Sequence, residues 1–426
     1  MRCVLMVASS YNPALPASMH RARLLDWYLA EFGWLPHILS GPLELQQKVW
    51  LDERAERFFP RDSSHVRSSS KVSIVGKGLG INTIGYSAFL PILIDGLRVL
   101  GMRRYDLVYI TTSAFQLFCL GPIWKQLRGT PYILDFQDPW VRTEGGAAAG
   151  VRQGIKTSID RFLAPGLERF AVRGAAGVVS VSEQYLEGIR SRNADALAVR
   201  SGKMVAIPFG GRAEDFRYGD NVRGGDQYVV GYVGVGGAIM ERSFDAFARC
   251  LSALREREPG LFDGVSFQLY GTQGGWHAGQ PKVLSEIAIR YGLDDVVGEE
   301  PEIVPYSRSV EIAGQSDGLI VLGVNDPGYM PSKLFHYAAT QKPLIGCFCL
   351  DSQPVAVCKA QPELGYYIEY SDDNSDVNIR NIGQLKEFLS AVRERRVQCR
   401  PNIDSRFSGR AMARQHAAFF DSCVNA

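Results

Sequence analysis

Residues 228–256 read YVVGYVGVGGAIMERSFDAFARCLSALRE, and their order of apolar, glycine and charged residues decides the fold class. Tyr228–Val233 is a short apolar run that predicts a buried strand. The glycine-rich loop Gly234–Gly237 follows, and Phe244–Glu256 has the spacing of an amphipathic helix. A strand, a tight loop and a helix make the first half of a βαβ unit, so the segment predicts a parallel sheet.

The same alternation of strands and helices fills both halves of the chain. Arg2–Ala8 and Gly177–Val181 are predicted strands that lead into helices at His20–Phe32 and Ser182–Arg192. Such alternation is typical of parallel strands joined by right-handed crossovers. The sequence therefore predicts an α/β fold of two Rossmann-like, doubly wound domains facing a central cleft.

The domain boundaries follow from composition. Gly210–Gln227 is polar and rich in glycine and aspartate, as linkers are, so we predict domains at residues 1–215 and 216–400. Residues 401–426 are predicted to form a C-terminal helix that packs back toward the N-terminal domain. Residues 42–75 fit neither repeat and are interpreted as an inserted, mobile excursion.

Composition excludes several classes of protein. Of 426 residues, 46% are hydrophobic and 22% charged, which is typical of globular chains and not of disordered ones. The formal net charge of +2 argues against bulk capture of nucleic acid. The eight cysteines form no CxxC pair, which favours free thiols in a reducing compartment and therefore a cytoplasmic protein.

One apolar segment leaves two interpretations open. The run from Ile84 to Ile94 is interrupted by Asp95 and Arg98, so it predicts no membrane-spanning helix. It is read either as a helix facing the core or as a helix that contacts an anionic membrane surface, with arginines at its end. The second interpretation places the protein at the inner face of the cell membrane, as a peripheral partner.

The loop Gly234–Gly237 suggests phosphate chemistry, because glycines let backbone N–H groups approach a phosphate closely. A dinucleotide fingerprint needs G-x-G-x-x-G and an acidic residue about 20 positions later. Ile239 stands where the third glycine belongs, and the strand residues Phe267–Tyr270 end without an acid. A nicotinamide-dependent dehydrogenase is therefore disfavoured.

A second segment, DPGYMPSKLFHYAATQKPLI at residues 326–345, is more specific. It follows a predicted strand, and Pro331 is placed to begin a helix whose first N–H groups attract anions. Lys333 adds a full positive charge at the same place. A lysine at a solvated helix start is the simpler alternative.

At this segment the chain resembles GT-B glycosyltransferases, especially the family 4-like retaining enzymes, whose P-x-K-x-x-E-Y-x-A-x-G-x-P segment binds the diphosphate and ribose of a nucleotide-sugar. The similarity extends to three further stretches. They are YILDFQDPW at residues 132–140, VSVSEQYLEGI at 179–189 and YGLDDVVGEEPEIVPYSRSVEIAGQSDGLIVL at 291–322. The first is similar to the D-x-R-D-x-W segment of many members, with Gln137 replacing the arginine.

The resemblance implies a donor site in the C-terminal domain. Its expected residues are Gly234, Gly236, Gly237, Arg242, Met330, Pro331, Lys333 and His336. Lys333, Arg242 and the glycine loop would contact the diphosphate. The chain departs from the family at His336, which replaces an acid that binds the ribose, at Val235, which replaces a basic residue, and at Gln341, which replaces a helix-ending glycine.

The catalytic and acceptor candidates lie in the N-terminal domain. Asp138 follows a predicted strand, where its carboxylate could hold or deprotonate an acceptor hydroxyl, or merely cap the turn before Pro139. His20 is the second catalytic candidate. Arg21 and Ser18 are expected to contact the acceptor, with positioning of the helix start as the alternative for His20 and Arg21.

The resemblance implies a hexosyltransferase-type glycosyltransferase that moves a sugar from a nucleotide-sugar to a hydroxyl of a saccharide or lipid-linked glycan in polysaccharide biosynthesis. Retention of configuration is implied by the family. No metal-ligand spacing or DxD pair occurs, so we expect no metal and no cofactor beyond the nucleotide-sugar co-substrate. Two alternatives stay open, namely a GT-B sugar-nucleotide epimerase and a non-catalytic glycan-binding or scaffold protein.

Overall fold

The computed structural model describes residues 1–69, 84–141, 155–218, 225–272, 282–371, 378–397 and 406–425. These residues form two compact units. The first contains the described residues up to Gly210 and those from Gly409 onward, and the second contains the described residues of Gly211–Ser408. The second unit thus begins five positions before the boundary drawn from composition.

The first unit is built on a seven-stranded parallel sheet with the order β3-β2-β1-β4-β5-β6-β7. The strands are β1 (Arg2–Ala8), β2 (Trp34–Ser40), β3 (His65–Arg67), β4 (Leu107–Thr111), β5 (Tyr132–Phe136), β6 (Gly177–Ser180) and β7 (Met204–Ala206). β1, β4 and β5 are almost wholly buried, as expected when helices cover both faces of a parallel sheet. β3 lies within residues 42–75, so this part of the excursion belongs to the sheet edge, and residues 70–75 lie outside the described chain.

Six helices of the first unit lie between these strands in sequence. They are α1 (His20–Tyr28), α2 (Ile84–Met102), α3 (Leu120–Arg128), α4 (Ile155–Arg173), α5 (Glu183–Arg192) and α6 (Leu197–Arg200). Only α2, within the described ranges, is long and apolar enough to cross a bilayer by length and composition. One of its faces is part of the core, because Ala88, Ile92 and Leu100 are buried there with Trp124 of α3. In the described part of the chain, one side of α2 therefore faces the core.

The second unit has a six-stranded parallel sheet with the order β10-β9-β8-β11-β12-β13. The strands are β8 (Tyr228–Val233), β9 (Val265–Tyr270), β10 (Val297–Glu300), β11 (Gly318–Leu322), β12 (Leu344–Cys349) and β13 (Tyr366–Tyr370). The helices are α7 (Glu241–Arg257), α8 (Val283–Arg290), α9 (Tyr306–Gln315), α10 (Ser332–Ala338), α11 (Gln353–Ala360) and α12 (Ile379–Arg393). The predicted fold class, an α/β fold with two Rossmann-like sheets, is confirmed.

The last helix, α13 (Gly409–Val424), lies in the first unit and contacts α1. Asp421 accepts a hydrogen bond from the indole of Trp34 at 3.1 Å, and the Trp34 and Phe420 rings meet edge to face at 5.4 Å. Arg2 of β1 forms an ion pair with Asp421 at 2.6 Å. These contacts make α13 part of the layer that covers the sheet next to β1 and β2.

Candidate functional site

In the second unit, the strand order reverses between β8 and β11, which are hydrogen-bonded neighbours. Ligands of open parallel sheets bind beyond the carboxyl ends of the strands at such a reversal. The loop Gly234–Gly237 follows β8, and the segment that leads into α10 follows β11. The two segments that the sequence singled out therefore leave the sheet side by side.

The glycine loop is held to the end of the neighbouring strand β9. Gly234 N donates to Tyr270 O at 2.8 Å, and Gly236 N donates to Thr272 O at 2.9 Å. Gly234 has φ +144° and Gly237 has φ +62°, conformations that side chains other than glycine adopt only with strain. The loop thus needs glycine at both positions for its backbone shape alone.

The space beside Gly234 is taken by the side chain of Lys333, the second residue of α10. A Cβ atom on Gly234 would lie 2.0 Å from Lys333 Nζ. The ammonium also lies 5.5 Å from the centre of the Tyr232 ring, near the end of β8. The backbone of the loop and the ammonium therefore form one compact group, and this group joins residues that are about 100 positions apart in sequence.

Within the described ranges, no hydrogen bond or ion pair joins the ammonium of Lys333 to an acidic side chain. Burial of the side chain lowers the pKa of Lys333 to about 8, since a charge that leaves water is disfavoured unless it gains a partner. At pH 7 the group is still mostly protonated. An anion placed against it would supply the partner that the protein does not.

We expect Gly234→Ala to displace Lys333 and to destabilise the protein by about 1–3 kcal/mol, because the added Cβ meets the ammonium and the residue keeps a positive φ. Nucleotide binding, followed by calorimetry, should weaken at least about tenfold. Gly202→Ala is the matched control, since Gly202 has φ +67° and nothing within 4 Å of its added Cβ. Equal nucleotide affinity in Gly234→Ala and the parent protein would contradict the assignment of this loop.

The remaining predicted donor residues differ in exposure and in position along the chain. Met330 is 5% exposed, and Pro331 is the N-terminal capping residue of α10 with φ −69°. Gly236 leaves no room for a side chain, because a Cβ would lie 2.9 Å from Thr272 Cβ. Arg242 is exposed at the second position of α7, five residues after Gly237.

His336 is part of a polar network that sequence reasoning missed. The Tyr306 hydroxyl lies 3.2 Å from His336 Nε2 and donates to Asp215 Oδ2 at 3.3 Å. Because that hydroxyl has one proton, it accepts from His336, whose Nε2 is therefore the protonated nitrogen. Arg212 pairs with Asp215 at 3.0 Å, and the Phe216 ring lies 4.7 Å from the imidazole. The imidazole is thus oriented by a network and not only packed.

Gln341, where the resemblance places a helix-ending glycine, has a backbone conformation that favours glycine. Its φ is +63°, just beyond α10. Helices commonly end on a left-handed residue of this kind, and glycine adopts it without strain. Glutamine therefore adopts this conformation with some strain, which glycine at the same position would avoid.

In the first unit, Arg21 is corrected from an acceptor contact to a structural residue. Its side chain is fully buried, and Nε lies 3.1 Å from Asp135 Oδ2 at the end of β5. The guanidinium also donates to Ile207 O at 2.8 Å and lies 4.9 Å from the centre of the Phe209 ring. An acceptor cannot reach a guanidinium that is enclosed in this way. Asp135 is structural for the same reason.

A histidine of the last helix completes the enclosure of Arg21. His416 Nδ1 donates to Met412 O at 2.8 Å, which leaves Nε2 to accept from Arg21 at 3.3 Å. Burial, helped by the charge of Arg21, lowers the pKa of His416 well below its ordinary value, so the ring is neutral. Burial raises the pKa of Asp135, and the charge of Arg21 opposes that rise.

The other candidates of the first unit gather where its strand order reverses, between β1 and β4. Gln137 Nε2 donates to Ser18 O at 3.0 Å and to Thr111 Oγ1 at 2.9 Å, so it ties the loop after β1 to the ends of β4 and β5. Its contact with Ser18 is through the backbone. Asp138, the next residue, and His20, the first residue of α1, are both partly exposed beside this junction. Sequence reasoning had treated Gln137 only as a departure from the family.

Comparison with known proteins supports the reading of both units. Residues 78–210 match the family model described as glycosyl transferase 4-like domain. No curated protein sequence matches the chain. Among solved structures, sucrose-phosphate synthase from Thermosynechococcus elongatus has a TM-score of 0.61 at 13% identity, covering 99% of each chain.

Two further solved structures cover the same extent. Anabaena HepE in complex with UDP-glucose has a TM-score of 0.59 at 14% identity, covering 99% of this chain and 100% of that one. The catalytic domain of starch synthase IV from Arabidopsis thaliana, bound to ADP and acarbose, has a TM-score of 0.56 at 12% identity, covering 99% of each. The chain has the GT-B fold that these solved structures share, and its residues 78–210 match the glycosyl transferase 4-like family model.

Proposed function

We propose that the protein is a glycosyltransferase that moves a sugar from a nucleotide-sugar to a hydroxyl acceptor. The observation that carries the proposal is Lys333, whose half-buried side chain lacks an acidic partner among the described residues and whose ammonium lies against the Gly234 backbone. A nucleoside diphosphate offers the charge that such a group lacks. The GT-B neighbours solved in complex with UDP, UDP-glucose or ADP support this choice of ligand.

The donor side of the proposed reaction rests on charge. When the bond between sugar and diphosphate breaks, negative charge builds up on the leaving diphosphate. Lys333 can neutralise that charge without reorganising, because the loop and the Tyr232 ring already fix its position. Arg242 is proposed as a second, more exposed contact, and His336 as the group nearest the ribose. Gly236, Gly237, Met330 and Pro331 complete this donor site in the proposal.

The acceptor side is proposed for the first unit. Asp138 would accept the proton of the attacking hydroxyl, or hold that hydroxyl by a hydrogen bond, and His20 would assist it. Both residues lie beside the junction that Gln137 makes between the loop after β1 and the strands β4 and β5. Ser18 lies in the same loop and is proposed as an acceptor contact.

The finer assignments follow the family resemblance. We propose a metal-independent hexosyl transfer with retention of configuration, onto a saccharide or lipid-linked glycan of polysaccharide biosynthesis, in the cytoplasm. Over the described ranges, no group of three or more histidine, cysteine or acidic residues is placed to hold a metal ion. In the proposed site, Lys333 and Arg242 supply the positive charge at the diphosphate.

The proposal is tested in two stages with the full chain. Thermal shift with UDP, ADP and GDP should give stabilisation by one of them, because a ligand that binds only the folded state raises its melting temperature. The nucleotide-sugar of that base, labelled in the sugar, is then incubated with and without a lipid extract and oligosaccharides. Label transferred only when acceptor is present supports the transferase. Altered sugar-nucleotide without acceptor indicates an epimerase, and no turnover with tight binding indicates a non-catalytic protein.

Asp138→Asn should separate catalysis from binding. A lost general base typically costs about 100- to 10,000-fold in rate, so kcat should fall by that range. The Kd for the donor nucleotide should not change, because the proposed donor residues belong to the second unit. Asp62→Asn, an exposed aspartate of the first unit, is the control that should keep full activity. Unchanged kcat in Asp138→Asn would remove Asp138 from the mechanism.

A further inference from the structure

Three neighbouring helices of the first unit present their outer faces side by side. α2, α3 and α4 contribute buried residues to one core cluster on the same sheet. Trp124 of α3 donates to Leu93 O of α2 at 3.3 Å, and Lys125 of α3 donates to Gly174 O, just after α4, at 2.9 Å. Tyr86 of α2 donates to Asp160 of α4 at 2.9 Å. The outward faces of these helices are therefore parts of one surface.

Large apolar side chains stand exposed on this surface. Phe162 is 84% exposed and Phe170 is 49% exposed, and their spacing of eight residues puts them on one side of α4. Leu90 and Met102 of α2 are 41% and 84% exposed, and Leu127 of α3 is 59% exposed. Isolated exposed apolar residues are ordinary, whereas several on adjoining helices mark an interaction surface.

On α4 from Asp160 onward, the basic side chains are exposed, whereas the acidic ones are buried or hydrogen-bonded. Arg161, Arg169 and Arg173 are exposed, whereas Glu168 is 1% exposed and Asp160 is bound by Tyr86 and Gln116. At the ends of α2 and α3 stand further exposed arginines, which are Arg98, Arg103, Arg104 and Arg128. Arg98 and Arg169 pair with Asp95 at 2.7 Å and with Asp195 at 2.8 Å, respectively. Within the described residues, no ion pair involves Arg161, Arg173 or Arg104. We call this surface, defined by Leu90, Met102, Leu127, Phe162, Phe170 and these arginines, the basic–aromatic face.

We propose that the basic–aromatic face docks on the surface of an anionic phospholipid bilayer. Exposed phenylalanine and leucine side chains gain free energy by entering the boundary between headgroups and acyl chains, and arginines bind the phosphates beside them. A second copy of the chain is a poorer occupant, because a two-fold contact would bring the arginines of both copies together. The near-neutral whole chain needs such a local cluster for electrostatic attraction to a membrane. The inference does not depend on the proposed transferase activity.

The basic–aromatic face includes the helix that follows Asp138 in sequence. α4 connects β5 to β6, and Asp138 lies two residues after the end of β5. Phe162 lies in the half of α4 that is nearer in sequence to Asp138. A bilayer bound to this face would therefore meet the helix that follows the candidate acceptor side, which suits a lipid-linked acceptor.

The proposal is tested by sedimenting the full chain with two kinds of vesicle. One is made of phosphatidylcholine alone, and the other contains about 30% phosphatidylglycerol, which supplies anionic headgroups. Binding is expected only to the anionic vesicles, and to weaken as sodium chloride is raised. Phe162→Ser combined with Phe170→Ser should lower the partition coefficient at least about tenfold. Ile379→Ser is the matched control, because Ile379 is 79% exposed in the second unit.

The arginine part of the face is tested in the same assay. Each exposed arginine near an anionic surface contributes about a fivefold gain in binding, so Arg161→Gln with Arg173→Gln should cost about 25-fold. Arg257→Gln, an exposed arginine of α7, should have no effect. Melting temperatures of all variants should match the parent, because the changed side chains are exposed.

Three results would overturn the proposal. The first is equal sedimentation with neutral and anionic vesicles. The second is an equal loss of binding in Ile379→Ser and in the double phenylalanine variant. The third is a parent protein that is dimeric by light scattering, becomes monomeric in the double phenylalanine variant and binds no vesicles, since that result assigns the face to a second copy of the chain.

Discussion

Lys333→Met is expected to weaken binding of the donor nucleoside diphosphate about 30- to 100-fold, which corresponds to about 2–2.7 kcal/mol for a lost charge-assisted contact. Methionine keeps most of the volume of the side chain beside Tyr232 and Gly234 and removes only the charge. Titration calorimetry with the nucleotide selected by thermal shift measures the effect. Lys359→Met is the control, since Lys359 is an exposed lysine of the second unit that pairs with Glu369.

The same variant should be more stable than the parent protein when no ligand is bound. The pKa of Lys333 is about 8 when folded, below its ordinary 10.5, so the unfolded chain binds this proton more tightly. Below pH 8 the charge therefore destabilises the fold, by about 1–3 kcal/mol, and this penalty disappears as pH rises from 8 to 10.5. Urea unfolding should show a gain for Lys333→Met at pH 7 and none near pH 10.5.

Nucleotide binding should show the matching pH dependence. A bound diphosphate favours the protonated lysine, so affinity is steady below pH 8 and falls by up to about tenfold per unit above it. Lys333→Met should lack this fall. Two results would contradict this role of Lys333 as an unpaired ammonium that binds an anion. The variant would bind nucleotide as tightly as the parent, or it would be less stable than the parent at pH 7.

Arg21→Met is expected to destabilise the first unit by about 3–5 kcal/mol, because it leaves the carboxylate of Asp135 buried without its charged partner. The loss should be measured as the change in free energy of urea unfolding. Arg410→Ala is the matched control. Arg410 forms a shorter ion pair with Glu31, at 2.6 Å, but both side chains are about 40% exposed, so about 0–1 kcal/mol is expected.

The loss in Arg21→Met should depend on pH. Burial raises the pKa of Asp135, and removing Arg21 removes the main influence that opposes the rise. With a folded pKa above the unfolded value, protonation relieves the penalty, so the variant should lose less stability at pH 5 than at pH 8. Adding Asp135→Asn to Arg21→Met should restore part of the loss. Additive losses in the double variant would show that the two side chains are not coupled.

The sequence predicted the sheets well, because strands buried on both faces are continuous apolar runs. β8 and β11, with the loops that follow them, were found from periodicity and glycine placement alone. The four edge strands, β3, β7, β10 and β13, were not predicted. His65–Arg67 of β3, for example, is short and polar, so burial leaves little pattern there. Local pattern predicts elements, and edge strands carry the least of it.

The candidate site was predicted in part. Lys333 and Gly234 belong to motifs that can be read separately, but their contact depends on the packing of α10 against β8. Tyr306 and Asp215, which orient His336, come from separate segments and carry no motif of their own. Arg21 was assigned to the acceptor from its place after the first loop. Its burial depends on His416 and Ile207, about 190 or more residues away, which no local window reveals.

Because α13 belongs to the first unit, the second unit interrupts the first unit in sequence. The second unit, Gly211–Ser408, is an insertion in the folding sense, whereas the first unit is completed only when the last helix is joined to it. Arg2 reaches both Asp421 and Asn425, so the first strand and the last helix lie next to each other. Circular permutation that joins these ends is therefore expected to be tolerated. A chain stopped before Gly409 would leave Trp34 and Tyr109 without the rings that cover them.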